Sequence, residues 1–226
     1  MRSGLLVLLF WSAAGAIAAS AAPGAADAAR EPPAAAPVTS AAQLAALTRD
    51  TARSLARAQA VRGAFVQQRH LAGLSKPLES DGRFLFARGV GIEWHTEKPF
   101  DSQFILTSDG MTQRDEGGET LRISVADQPA LTVVSRVFFA LFALDFDALS
   151  QDFTMTGADD RSAHWQLTLA PRTAALRSVF RQAIVMGDST VKSVRLEDAN
   201  GDVTQIELHA VQYDAKGLTA DERRRF

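Results

Sequence analysis

Residues 82–100, GRFLFARGVGIEWHTEKPF, constrain the fold of this chain more than any other stretch. Phe84 and Phe86 fall on one face of a strand by period-two alternation, and Ile92 and Trp94 do the same on a second strand. Gly89 and Gly91 supply a turn between the two, and Pro99 stops the second strand while pushing Lys98 toward an extended conformation. The segment is a hairpin with large apolar side chains on one face. Arg88 stands at its turn-proximal end, where a guanidinium can reach over that face and donate to carbonyls of whatever covers it.

The rest of the chain extends this pattern. Residues 40–59 read as one helix, with Leu44, Leu47, Thr51 and Leu55 on a single stripe and Ser40 as N-cap. Strands are expected over 61–70, 78–87, 92–96, 102–107, 111–114 and 119–125. A second run covers 153–156, 164–169, 183–186, 191–198 and 203–213, interrupted by a short helical piece over 173–180. Trp165, Leu167 and Leu169 alternate with Gln166 and Thr168, the pattern of a half-buried strand. Short loops between the strands make the sheet antiparallel.

Between the two runs lies PALTVVSRVFFALFALDFD, residues 129–147. It is too long for an ordinary strand, and Pro129 suits a first helical turn, so a helix is expected, open to a bend or split near Leu144. It is also shorter than the roughly 20 residues that cross a bilayer. Being apolar nearly all round, it must be covered on more than one side. The expected fold is therefore α+β: a curved, half-open antiparallel β-barrel of ten or eleven strands, with helices covering the concave face as a lid. The mouth of such a barrel is a common ligand position.

Three regions are expected along the chain. Residues 1–28 have the charged start, apolar run and small-residue sites of a secretory signal peptide. Residues 29–39 are Ala- and Pro-rich and read as a disordered linker, and 40–226 form a single domain. The sequence has no cysteine, which excludes disulfides, thiolate metal sites, a cysteine nucleophile and a lipid-modified N-terminal cysteine. The chain is expected to be exported, cleaved and free in the periplasm without a lipid anchor. Twenty-four basic against twenty-six acidic side chains give no sequence-wide drive toward nucleic acid. The terminal run Arg223, Arg224 and Arg225 reads as solvated.

Enzymatic signatures are missing from the sequence. There is no Gly-x-Ser-x-Gly elbow or Lys-Ser/Thr phosphate loop, and Gly89-Val90-Gly91 leads into a strand rather than a helix. The four histidines are scattered singly without ligand spacing. No catalytic residue, metal or cofactor is expected.

The chain resembles the periplasmic outer-membrane lipoprotein carrier (LolA-like) family. The resemblance rests on VRGAFVQQRHL (61–71), similar to the family's Phe-x-Gln opening strand, on the hairpin with its aromatic, Arg and Trp-x-x-x-x-Pro elements, and on ILTSDG (105–110). It implies a carrier that shields acyl chains of lipoproteins, or of a related lipid, between the inner and outer membranes. Relatives also include carriers in glycolipid or aryl-polyene export and lipid- or lipoprotein-sensing modules. It further implies an inner-membrane release complex and an outer-membrane acceptor as partners, and an arginine that latches the helical lid; Arg88 matches that position. The lipid cavity would be lined by Phe65, Phe84, Phe86, Trp94 and Phe104 of the sheet and by Phe138, Phe139, Phe142 and Phe146 of the lid. A monomer is expected.

Overall fold

A computed structural model describes residues 38–127, 130–159 and 164–226. The expected signal peptide lies outside the described residues, as does the expected linker up to residue 37. The elements run α1 (Ala41–Leu47), α2 (Arg49–Arg57), β1 (Ala60–His70), β2 (Leu78–Ala87), β3 (Gly91–Lys98), β4 (Ser102–Thr107), β5 (Gly110–Asp115) and β6 (Gly118–Ser124). Then follow α3 (Ala130–Ala143), α4 (Phe146–Ser150), β7 (Phe153–Asp159), β8 (Trp165–Pro171), α5 (Ala174–Arg177), β9 (Phe180–Gly187), β10 (Val191–Asp198), β11 (Val203–Asp214) and α6 (Ala220–Arg223).

The strands form one antiparallel sheet in the order β6-β5-β4-β3-β2-β1-β11-β10-β9-β8-β7. Two meanders, β1–β6 and β7–β11, meet along the long central pair β1·β11. The sheet is not closed into a barrel, because β6 and β7 end up at opposite edges. The edge strand β7 is met by the end of the expected linker: Val38 and Gly157 exchange two backbone hydrogen bonds of 2.7 Å.

Register puts the expected aromatic residues on one face. Gly63 of β1 lies opposite Phe84, Phe84 opposite Trp94, and Trp94 opposite Phe104. Val61, Phe86, Ile92 and Leu106 form the neighbouring row. Gly63 is what lets the Phe84 ring lie flat over β1, since a Cβ there would sit 2.6 Å from the ring. Phe65 stacks on Trp94 with centroids 4.0 Å apart.

Two helical expectations differ in detail. The single helix over 40–59 is broken at Thr48 (φ −98°, ψ 15°), whose buried hydroxyl donates to the Leu44 carbonyl. That local bond competes with the helical ladder, so the amphipathic stripe continues in a redirected second helix. The long apolar helix ends at Leu144, which adopts φ 50°. The N–H of Leu144 donates to Leu141 O and that of Asp145 to Ala140 O, a Schellman closure with leucine where glycine is usual. A bulky residue in this conformation costs about 1–2 kcal/mol, and Leu144 holds it with a buried side chain.

Of the terminal arginines, Arg223 and Arg224 are exposed as expected, but Arg225 is not simply solvated. Arg225 reaches Glu93 Oε2 at 2.8–2.9 Å on the face of β3 opposite Trp94, and Glu93 is 4% exposed and also accepts from Gln103. Arg62, likewise pointing away from the concave face, donates to both Glu222 oxygens at 2.7 Å and to Asp214 at 3.0 Å. The C-terminal turn is thus clasped to the convex side of the sheet.

Hydrogen bonds from Arg62, helped by its charge and by Thr219, hold the Glu222 carboxyl down to about 2 from the usual 4.5. The clasp is therefore fully stabilised above pH 4.5 and weakens as pH falls toward 2. The protection of amides over residues 219–226, taken by NMR as the ratio of intrinsic to observed exchange across that window, is expected to fall while amides of β1 and β11 stay protected.

Candidate functional site

Helix α3 lies over the concave face because it must carry the chain from one sheet edge to the other. Its Phe142 stacks on Phe86 at 5.0 Å and meets Phe84 at 6.5 Å, and Phe139 meets Phe86 at 6.1 Å. Ser135 anchors it to the Thr107 carbonyl at 3.2 Å, and Arg136 pairs with Asp152 at 2.7 Å. The rings thus fill the β1–β4 half of the concavity.

Over the other half a cavity of about 210 Å³ remains, larger than the roughly 150 Å³ apolar voids that admit benzene. Phe84, Trp94 and Val61 form its near wall, and Val137, Leu141, Phe142 and Leu144 form its roof. The floor and far wall come from the second meander: Leu167 and Leu169 of β8, Phe180 and Val185 of β9, Val194 and Leu196 of β10, and Ile206 and Leu208 of β11. Arg69, Asp198, Thr204 and the Tyr213 phenol are the polar groups at its surface. A wider depression of about 870 Å³ elsewhere is edged by Glu79, Asp81, Arg83, Glu97 and Lys98 and offers no comparable apolar surface.

One end of the concavity is strapped by α2. Arg88 Nε donates to Ala58 O at 3.0 Å and Nη2 to Leu55 O, so the guanidinium caps the carbonyl end of this helix, where cations are favoured. From the other meander, the Asp188 carbonyl in the β9–β10 turn accepts from Thr51 Oγ1 at 2.7 Å and from Trp165 Nε1 at 2.8 Å. Helix α2 thus spans from the β2–β3 turn to the β9–β10 turn, bonded to both halves of the sheet.

Arg88 therefore bonds to α2 and not to the apolar helix within 129–147 whose phenylalanines the sequence marks as lid. The expected cavity residues divide in the same concrete way. Phe84, Trp94 and Phe142 line the cavity. Phe65 backs Trp94, while Phe86 packs beneath α3 against the Phe139 and Phe142 rings of that helix. Phe104 belongs to a smaller core with Ile92, Leu106 and Met111 at the β3–β5 end, and Phe146 is buried in α4. The Phe138 side chain lies outside what is described. Sequence reasoning missed the far wall and the Thr51–Asp188–Trp165 junction. The alternation of Trp165, Leu167 and Leu169 does signal an inward face, but which cavity that face borders depends on strand order.

The model of the family described as outer membrane lipoprotein carrier protein LolA matches residues 56–220, and the chain belongs to this family. Its proteins are periplasmic carriers, not enzymes. No curated protein matches the sequence significantly. Solved structures similar to the chain include a LolA superfamily protein of Nitrosomonas europaea, at 9% identity and TM-score 0.43 over 81% of this chain and 96% of that one. A putative outer membrane lipoprotein-sorting protein domain of Vibrio parahaemolyticus follows at 9% and 0.39 over 79% and 96%. A DUF1329 family protein of Desulfovibrio piger stands at 14% and 0.39 over 78% and 95%. At such scores membership rests on the family model alone. No helix among the described residues is long and apolar enough to cross a membrane.

Burial pushes the Tyr213 phenol up to about 12, with the Asp188 charge adding to it. A neutral group held this way contributes stability that is present below pH 10 and lost as pH rises toward 12. Tyr213 is the chain's single tyrosine, so its phenolate absorbance reports this site alone. The titration midpoint is expected near 12 in the folded protein and near 10 after denaturation.

Proposed function

We propose that this protein carries the acyl chain of a lipoprotein, or of a related lipid, through the periplasm between inner and outer membranes, sheltering it in the concave cavity. The observation that supports this most is the apolar cavity lying under α3, a helix that connects opposite sheet edges and belongs to no strand ladder. Each methylene removed from water is worth roughly 0.8 kcal/mol, so one long chain resists the aqueous compartment by on the order of ten kcal/mol. A cavity of about 210 Å³ shelters part of such a chain as it stands. The rest is accommodated when α3 and the Phe139 and Phe142 rings give way, trading ring–ring contacts for ring–lipid contacts. In the empty protein the same rings keep the apolar surface covered.

Arg88 is the latch in this scheme, acting on α2: releasing the Leu55 and Ala58 carbonyls frees the strap that ties the two meanders. Export with signal cleavage, a monomeric state, and transfer from an inner-membrane release complex to an outer-membrane acceptor complete the proposal.

Substituting Arg88→Leu is expected to change the rate of acyl-probe uptake or release about tenfold, with the β-sheet circular dichroism retained; unchanged exchange removes the latch role. The cargo itself is tested by native mass spectrometry with lipid extraction on protein purified from its own periplasm. A bound acylated species, lost when Phe84 and Trp94 are both replaced by alanine, is the expected result. A ligand-free mass together with no uptake of an acyl probe would overturn the carrier proposal.

A further inference from the structure

The polar corner of the cavity is built in a way that core packing does not require. Arg69 of β1 faces the concave side opposite Thr204 of β11, and Gln67, two residues earlier on the same face, lies opposite Ile206. Arg69, Thr204 and Ile206 all line the cavity. The Arg69 side chain is 12% exposed, and its Nη2 stands 3.6 Å from Asp198 Oδ2 and 3.5 Å from Asp202 Oδ2. Charge-assisted hydrogen bonds close to about 2.7–2.9 Å, so both contacts are loose. Asp202 is committed elsewhere, accepting from the Ala72 N–H at 3.0 Å and from Asn200 Nδ2 at 2.9 Å.

Two buried atoms on this face of β1 have no hydrogen-bond partner among the described residues: Arg69 Nε, on a residue that lines the cavity, and Gln67 Oε1, on the preceding inward residue, just outside that lining. Gln67 as a whole is 8% exposed. One atom is a donor and the other an acceptor, on the same face of one strand. Unmade bonds of this kind are costly in a buried site, and a partner that offers both an acceptor and a donor removes both costs. The charge around them defines the partner further. One guanidinium stands against two carboxylates, a net negative corner that disfavours an anionic head. Burial also holds the Asp198 carboxyl above its ordinary range, the mark of a poorly solvated corner.

We propose that Arg69 and Gln67 form a polar subsite that takes the uncharged linkage of an acyl lipid whose chain occupies the cavity. Arg69 Nε–H donates to a carbonyl oxygen of that linkage, and Gln67 Oε1 accepts from its N–H or O–H. The ligand class is an acyl amide or hydroxyl-bearing acyl ester, in preference to a fatty-acid anion. This rests on the carrier proposal and narrows it to one kind of head.

Calorimetry on the intact protein with N-dodecanoylethanolamine and with dodecanoate, matched in chain and kept below aggregation, separates the contributions. The wild type is expected to bind the amide about tenfold more tightly than the carboxylate, equivalent to about 1.4 kcal/mol. Gln67→Met and Arg69→Lys, the latter keeping the positive charge beside both aspartates, are each expected to weaken the amide by about tenfold and leave dodecanoate within about twofold. Equal weakening of both probes would reduce the pair to a structural role, and no change in either variant would mean that the two atoms hold only water; both results overturn the subsite. Absence of binding of either probe to the wild type overturns the carrier proposal and the subsite with it, whereas equal binding of both probes overturns the subsite alone.

Discussion

A chain that places its sixth and seventh strands at opposite edges of one sheet has to bridge the whole width of that sheet between them. In this protein the bridge is α3 and α4, and everything else about the cavity depends on it. The strong twist of an eleven-stranded antiparallel sheet curls the concave side inward, and the bridge lies over that side, where apolar surface on both partners is removed from water. The apolar composition of α3 follows: a helix enclosed on more than one side has little place for a polar stripe. Its one tight end, the Schellman closure at Leu144, carries a leucine in a conformation that favours glycine and turns that side chain into the cavity roof.

The two meanders are joined along β1·β11 but are free to open at the far edges, since β6 and β7 do not pair. Helix α2 limits that freedom at one end of the concavity, held by Arg88 on one side and by the Asp188 carbonyl on the other. The anchors differ in kind. Arg88 uses two flexible donors on two terminal carbonyls of a helix, whereas Asp188 O is shared between a buried hydroxyl and an indole N–H that are themselves 3.2 Å apart. The second junction is the more enclosed and has fewer ways to rearrange, so the Arg88 side is the natural place for motion. On the convex face, the Arg62–Glu222 and Arg225–Glu93 pairs hold the C-terminal turn against β1 and β3, which stiffens the same strands whose inner faces carry the stacked Phe65 and Trp94.

Much of this was legible before any coordinates. Strand-forming composition, alternation and turn residues placed segments of the strands now seen in the sheet, expected as ten or eleven, because these signals are local. The break at Leu144 was within the sequence expectation of a bend or split there, while the break at Thr48 was hidden, because a threonine in a helical stripe looks like any other helical residue. The far wall of the cavity was readable as apolar but not as a wall. Arg69 and Gln67 gave no signal, since polar residues on an inward face become conspicuous only when their surroundings are known to be dry. Arg225 misled for the same reason in reverse: a terminal arginine run looks solvated until a buried carboxylate such as Glu93 is found beneath it.

The sequence by itself determined the class of fold, the aromatic inner face of the β2–β3 hairpin and the position of Arg88 at its turn, because backbone period and turn chemistry act over a few residues. Only the tertiary structure decided that Arg88 holds α2 rather than α3, that Phe104 and Phe146 serve core packing while Leu167, Leu169 and Ile206 border the cavity, and that Arg69 comes to lie beside Asp198 and Asp202. Those outcomes depend on which strands become neighbours and on how far an open sheet curls, and both are settled by burial summed over the whole domain, to which no single segment holds the key.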